Sequence, residues 1–323
     1  MLHIMDGKAM TIQHHQSGLF VGEVVGCRTP CPEHFEISLA VEGFPHAIPG
    51  QFVQVRCCPL AQNTYPEQPH EDIGALVDSG NADLRPMLRR PFSIAGLRRT
   101  GTQCEIDILG RVVGVGTGRL ATLVTGDVVD ILGPLGRGFS AALPDKRVLL
   151  VAGGVGLAPI RWLGEKLRRD GMPCDSIYGA RTRGLLPVAL TETPSKHGAL
   201  TLCVEAFARE GIRTAITTDD GTCGMRGRVT DRMVSYFDGC GDPSSIQVYA
   251  CGPEPMLRAV GSLCVSRGIW CELALERMMG CGVGACQSCV VRVVDASSAE
   301  GWRYALCCTD GPVFDAAGVI WFQ

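Results

Sequence analysis

Nine residues near the C-terminus, Cys281-Gly-Val-Gly-Ala-Cys286-Gln-Ser-Cys289, carry three thiols at C-x4-C-x2-C spacing, and Cys307-Cys308 follow downstream. Three thiolates from one tight loop and a fourth from a distance form the ligand pattern of a plant-type [2Fe–2S] cluster. Gly282 and Gly284 let the backbone wrap a small inorganic core without β-carbon clashes, and Ala285 and Ser288 keep the loop thin beside it. A structural zinc site would favour paired C-x2-C units, which the four-residue first gap does not supply. Spacing alone does not choose between Cys307 and Cys308.

A second set of residues suits phosphate and ring binding. In Arg90-Pro91-Phe92-Ser93 a rigid proline sets an arginine at a strand start, where its fork can hold a diphosphate, and Ser93 offers a hydroxyl to a flavin edge. Leu109-Gly110-Arg111 and Gly114-Val115-Gly116-Thr117 follow, a second arginine and then a glycine turn opening a helix, GTGRLATL. Each piece alone reads as ordinary turn chemistry; their order gives them weight. Further on, Gly153-Gly154-Val155-Gly156 lies between an apolar strand and a helix, a dinucleotide-type turn short of the full G-x-G-x-x-G. Cys251-Gly252-Pro253 ends another strand, where a small side chain leaves room for a nicotinamide ring. Asp219-Asp220-Gly221 either places carboxylates near a ribose or caps a turn. There is no Ser/His/Asp set and no H-E-x-x-H, and the seven histidines read as mostly solvated. No catalytic side chain is therefore expected: the hard chemistry belongs to cofactors.

The elements that must position these residues change character along the chain. After a polar leader over 1–17, the stretch 18–142 holds short alternating strands such as LFVGEVVGC, FEISLAV, QFVQVRC, PFSIAGL, CEIDILGRV and DVVDILGP, the pattern of an antiparallel barrel. It is interrupted by a long loop at 59–86, rich in Pro, Asn, Asp and Gly. From 143 to 267 strands alternate with helices: KRVLLVAGG, IRWLGEKLRRD, SIYGART, ALTLCVEA as a further strand, then IQVYACG and its helix. That alternation predicts a doubly wound parallel sheet. Residues 268–323 hold the cysteine loop and a strand, CVVRVVD.

A net charge of −3 gives no electrostatic footing for nucleic acid or an anionic membrane, and no apolar run approaches the ~18 residues of a membrane span. The seventeen cysteines, with no signal peptide ahead of them, suit a reducing cytoplasm rather than a disulfide framework.

Taken in order, RPFS, LGR-x4-GT, GDVVDILGPLGRGF, AGGVGLAP, TTDDGTCGMRGRVTD, CGPEPML, ERMMGCGVGACQSC and CCTDGPVF resemble the electron-transfer subunits of NAD-dependent (B-type) dihydroorotate dehydrogenase, within the ferredoxin-reductase superfamily. The resemblance runs from about residue 18 to the end. It implies an FAD-binding barrel, an NAD-binding α/β domain and a small C-terminal [2Fe–2S] domain, in a heterotetramer with an FMN-containing dihydroorotate dehydrogenase subunit. It matches Arg90 through Ser93, Leu109 through Arg111 and Gly116-Thr117 to flavin contacts. The cysteine before T-D-G-P makes Cys308 the fourth ligand, beside Cys281, Cys286 and Cys289. Gly110 stands where the family usually carries an aromatic residue, which implies different stacking on the flavin, and the loop at 59–86 is longer than the family's.

The function so implied is a relay in pyrimidine synthesis: electrons from dihydroorotate oxidation pass through the cluster and FAD to NAD+. Two other readings use the same residues. One is an NAD(P)H-dependent reductase subunit of another complex, linked to sulfide, hydrogenase or ferredoxin; the other is a redox sensor that has kept the fold and lost flavin turnover.

Overall fold

The computed structural model describes residues 17–57 and 88–321. The leader and the loop expected over 59–86 lie outside the described residues, apart from Ser17, whose hydroxyl donates to Pro134 O at 2.8 Å.

Six strands, β1 (Gly18–Arg28), β2 (His34–Glu42), β3 (Phe52–Val55), β4 (Arg90–Thr100), β5 (Gln103–Arg111) and β6 (Val128–Leu135), close into an antiparallel barrel in the order β1-β2-β5-β4-β3-β6. Alternation drives the closure: Ile37, Leu39 and Val41 of β2 and Ile106 and Ile108 of β5 all point into one apolar core with Val53 and Val55 of β3. A short helix, α1 (Val115–Leu120), plugs one end through Leu120.

β7 (Arg147–Gly153), β8 (Cys174–Ala180), β9 (Arg213–Thr218), β10 (Met225–Arg226), β11 (Ile246–Cys251) and β12 (Trp270–Ala274) form a parallel sheet, and β15 (Val313–Asp315) adds an antiparallel edge, in the order β10-β9-β8-β7-β11-β12-β15. The strands fan out on both sides of β7, the doubly wound arrangement. Successive residues of β7 serve opposite faces: Val148, Leu150 and Ala152 pack with α2 (Leu157–Arg169), Leu149 and Val151 with α4 (Val229–Asp238) and α5 (Glu254–Ser266).

ALTLCVEA, expected to be a strand, is not one. It makes isolated bridges, Leu190 to Val204 and Thr201 to Thr214, then turns into a one-turn helix, α3 (Glu205–Ala208). β9, a few residues on, takes the place beside β8 and leaves Thr201 only a single bridge on its edge. The stretch 268–323, expected to hold the cysteine loop, also supplies β12 and β15 to the large sheet; its own sheet is β14-β13-β16, from β13 (Val290–Val294), β14 (Trp302–Leu306) and β16 (Val319–Ile320).

Barrel and sheet are tied by Arg161 of α2, which donates to Glu36 Oε1 of β2 at 2.8 Å and to Ala95 O of β4 at 3.3 Å. The C-terminal tail returns to the barrel, where Arg137 N–H donates to Gly311 O at 2.5 Å.

Candidate functional site

A cavity of about 900 Å³ opens between the barrel and the carboxyl ends of the parallel strands, where open α/β sheets take ligands. Of the residues expected to bind FAD or NAD from Arg90 to Pro253, all but Gly116 line it; the four expected cluster cysteines do not. Gly116 sits just behind the wall, where a β-carbon would lie 3.1 Å from Cys57 Sγ and 3.4 Å from Arg90 Nε. The far wall includes Arg277 and Met279, the latter two residues before Cys281. One space thus adjoins the arginine–proline strand, both glycine turns and the cysteine loop.

On the barrel side, Thr117 pins the turn before α1. Its Oγ1 accepts from Val113 N–H at 2.8 Å and Gly114 N–H at 3.2 Å and donates to Gly114 O. Arg111 spends its fork on Glu33 at 3.0 and 2.6 Å, and that hydrogen bond holds the Glu33 carboxyl below its ordinary range. Among the described residues Arg90 donates to the carbonyls of Leu88 and Arg89. Two arginines whose described partners are an exposed carboxylate and main-chain oxygens are suited to take a diphosphate instead. Apolar Phe52, Phe92 and Leu109 beside them suit a flavin ring. Gly110, where the resemblance implied an aromatic residue, is covered by a ring from elsewhere: Phe35, its cross-strand partner on β2.

On the sheet side, the two nucleotide turns interlock. A β-carbon at Gly153 would lie 2.4 Å from Met256 Sδ, and one at Gly156 would lie 2.3 Å from Cys251 O. Only glycine lets β7 and β11 bring their turns this close. Gly154 has φ +53 and its carbonyl accepts from Tyr178 Oη at 3.1 Å. Burial pushes the Cys251 thiol up to about 12, so it faces the cavity as a small neutral group. The Asp219-Asp220 pair divides its roles. Asp220 accepts from Thr222 N–H and Oγ1, at 3.0 and 2.7 Å, and caps the turn, while Asp219 lines the cavity.

In the cysteine loop Cys281 Sγ accepts from Val283 N–H at 3.4 Å and Cys286 N–H at 3.3 Å, and Cys289 Sγ accepts from Cys308 N–H at 3.4 Å. Such N–H···S bonds favour thiolates. The Ser288 hydroxyl, 3.2 Å from Cys286 Sγ, leads the groups that bring the Cys286 thiol down to about 6. Burial, followed by the neighbouring Cys289 thiol, lifts Cys308 to about 12, so a bound metal has to displace its proton. Cys307 faces elsewhere: fully buried, it donates its thiol to Leu275 O at 3.4 Å. Among the described residues no three His, Cys, Asp or Glu side chains converge as they do round a single ion.

Several lining residues were not among those expected to face a cofactor. His34, expected among solvated histidines, is buried on β2 and lines the cavity, its Nδ1 2.8 Å from Pro32 O. It stands one residue before FEISLAV, on the face opposite Ile37, Leu39 and Val41, so strand alternation gave no signal of its burial. Arg181, Arg228, Met256 and Pro312 reach the same space from four different segments.

Two family models match: an oxidoreductase NAD-binding domain over residues 150–262 and the iron-sulfur cluster binding domain of dihydroorotate dehydrogenase B over 276–320. The chain is 40% identical over 244 residues to the dihydroorotate dehydrogenase B (NAD(+)) electron transfer subunit of Geobacillus kaustophilus, covering 74% of this chain and 82% of that protein. It is 34% identical over 287 residues to the subunit of the same name from Geobacillus sp. (strain WCH70), covering 84% of this chain and 98% of that protein. Among solved structures, an NADH-dependent reduced ferredoxin–NADP oxidoreductase superposes with a TM-score of 0.67 at 26% identity, covering 93% of this chain and 90% of that one. The ferredoxin reductase of carbazole 1,9a-dioxygenase, at 15% identity and a TM-score of 0.58, shares the fold over 80% of this chain and 68% of that one.

Proposed function

The chain belongs to the electron transfer subunits of dihydroorotate dehydrogenase B (NAD(+)), and from that premise we propose which of its residues carry each leg of the transfer. As such a subunit it passes electrons from an FMN-containing dihydroorotate dehydrogenase catalytic subunit, through a [2Fe–2S] cluster and FAD, to NAD+ in pyrimidine (UMP) synthesis. The flavin supplies the conversion between single electrons and a hydride, which neither a one-electron cluster nor a two-electron nicotinamide can make.

In this reading the barrel over 18–142 holds FAD. Arg90 and Arg111 exchange their present partners for its diphosphate, Ser93 hydrogen-bonds the ring edge, and Phe92 and Leu109 cover its apolar faces. Gly116 lets the chain approach the phosphates, and Thr117 keeps that turn in shape. In 143–267, Gly153, Gly154 and Gly156 admit the NAD diphosphate, while neutral Cys251 with Gly252 and Pro253 leaves space for the nicotinamide. In 268–323, Cys281, Cys286, Cys289 and Cys308 ligate the cluster. The observation that carries the reading is the single cavity bounded by the flavin strand, both nucleotide turns and Met279 beside the cysteine loop. A cavity shared by both nucleotide turns, with the cysteine loop two residues beyond Met279 of its wall, would let electrons pass without a diffusing intermediary.

We place the protein in the cytoplasm, whose reducing conditions suit a cluster held by cysteine thiolates, and in a heterotetramer with the FMN subunit. The test is the visible spectrum and iron content of anaerobically purified protein, alone and co-expressed with that subunit. Flavin and two irons per chain, both bleached by dihydroorotate only in the co-expressed complex, are expected. Bleaching by NADH but never by dihydroorotate would discard the pyrimidine assignment and keep a reductase.

A further inference from the structure

Gln54 stands out in the described interior. It lies in β3, fully buried, and among the described residues neither its side-chain oxygen nor its nitrogen has a hydrogen-bond partner. Three residues earlier Gln51, buried as deeply, accepts from Ile48 N–H at 2.9 Å and donates to Gly136 O at 2.8 Å. The fold can therefore satisfy a glutamine amide here and leaves the second one open. A buried amide unpaired at both ends is costly, and such groups in native folds call for a specific account, a bound ion among them.

The amide is also aimed. Val53 and Val55 point into the barrel, whereas Phe52 packs in the core that contains Cys289, Cys307 and Cys308. Gln54 shares the Phe52 side of the strand. A β-carbon at Gly282 would lie 2.8 Å from Gln54 Nε2 and 2.9 Å from its Cγ. The amide therefore rests on the residue that follows Cys281. Across the strand pair Gln54 sits opposite Pro91, inside the arginine–proline segment assigned to the flavin.

We propose that Gln54 is a positioning and tuning residue for the cluster: its side-chain N–H donates to a sulfur on the Cys281 side of the bound [2Fe–2S] core. This rests on the ligand assignment above. Reduction adds negative charge to the core, so a donor aimed at its sulfur stabilises the reduced form more than the oxidised form and raises the potential. Placed between the flavin strand and the cysteine loop, the amide sets how readily the cluster holds an electron beside the flavin.

The test uses the complete chain with its FMN-containing partner and the variants Gln54→Leu and Gln54→Met. Both keep the approximate volume and remove the donor. Iron content and the visible spectrum are read first. An EPR-monitored redox titration then gives the cluster potential, with the FAD potential as internal control, and pulsed EPR of the reduced cluster reads exchangeable-proton coupling.

Both variants are expected to hold full iron, lose one exchangeable coupling and leave FAD unmoved. The reduced-to-oxidised ratio of the cluster at a fixed poise should fall about tenfold, about 59 mV for one electron. The cluster-free Gln54→Leu chain should melt above the cluster-free wild type, because it buries no unpaired amide. Full iron with unchanged potential and coupling overturns the role of Gln54 and leaves the ligands standing. Loss of iron from both variants overturns tuning in favour of a requirement for assembly. A wild-type chain without iron overturns the ligand assignment and this proposal together.

Discussion

Phe35 covers Gly110: the two face each other across β2 and β5, and a β-carbon on Gly110 would lie 2.3 Å from the Phe35 Cζ and 2.8 Å from two more ring atoms. Phe35 is also held edge-on by Phe92, with ring centroids 6.0 Å apart. The ring cannot swing away without disturbing the arginine–proline strand. Gly110→Ala is therefore an overpacking change, expected to cost about 1–3 kcal/mol and to lower FAD retention. Phe35→Leu in the same chain should recover most of the loss, because it removes the obstructing ring. Urea midpoints and bound flavin for the two single variants and the double variant check this; strictly additive effects would rule out the contact.

The neighbouring cysteines at 307 and 308 should behave differently. Cys307 sends its thiol to Leu275 O, and the Cys308 backbone reaches Cys289 Sγ. Cys308→Ser is expected to abolish the cluster absorbance and drop iron content severalfold. Cys307→Ser should keep the iron and cost some stability, because it places a hydroxyl in an apolar core. Iron analysis of the two proteins decides it, and the reverse pattern would reassign the fourth ligand.

Short-range signals made much of this molecule legible. β1 to β6 follow runs of alternating residues, and the turns at Gly153 and Cys251 end apolar strands. ALTLCVEA misleads because its apolar content is that of a strand, while the place beside β8 goes to β9, which no local feature of ALTLCVEA reveals. The contacts that complete the site are long-range. Gln54 meets Gly282, and Phe35 meets Gly110, through closure of the barrel and return of the tail. In the sequence Gln54 is one polar position in QFVQV, indistinguishable from a solvent-facing one. The glycine at 110 could be recognised as unusual, but not the ring that compensates for it.

Arg161 joins the two large units through a desolvated ion pair with Glu36, the side chains 12% and 9% exposed. Removing one partner of such a pair leaves a buried charge and typically costs about 3–5 kcal/mol. Glu36 also pairs with Arg28, so Arg161→Met should fall near the lower end, about 3 kcal/mol. Because the link runs from the barrel to α2, hydride transfer from NADH to flavin should slow more than cluster reduction does. Stopped-flow reduction by NADH, beside thermal melting, reads both. An unchanged hydride rate in a destabilised protein would restrict Arg161 to stability.

Two carboxylates near Arg161 should give opposite pH dependences. Burial opposes the charge on Asp107, but Arg98 donates to both its oxygens at 2.6 and 2.9 Å and Ser38 donates at 2.6 Å, and the net shift is below the ordinary 3.8. Burial raises Glu165 above its ordinary 4.5, with the charge of Arg161 opposing and those of Glu210 and Asp107 adding to the rise. The stabilisation from Asp107 is complete above 3.8 and is lost as pH falls through its lower folded value. Glu165 has the other sign: its contribution is fully present below 4.5 and is lost as pH rises through its raised folded value, so near neutrality its charge is a cost. Glu165→Gln should therefore melt above wild type near neutral pH, with the gap closing as pH approaches 4.5. Asp107→Asn should melt below wild type, with its gap narrowing only once pH falls under 3.8. Melting curves of both variants across that range separate charge from packing, since a gap that ignores pH would belong to lost contacts alone.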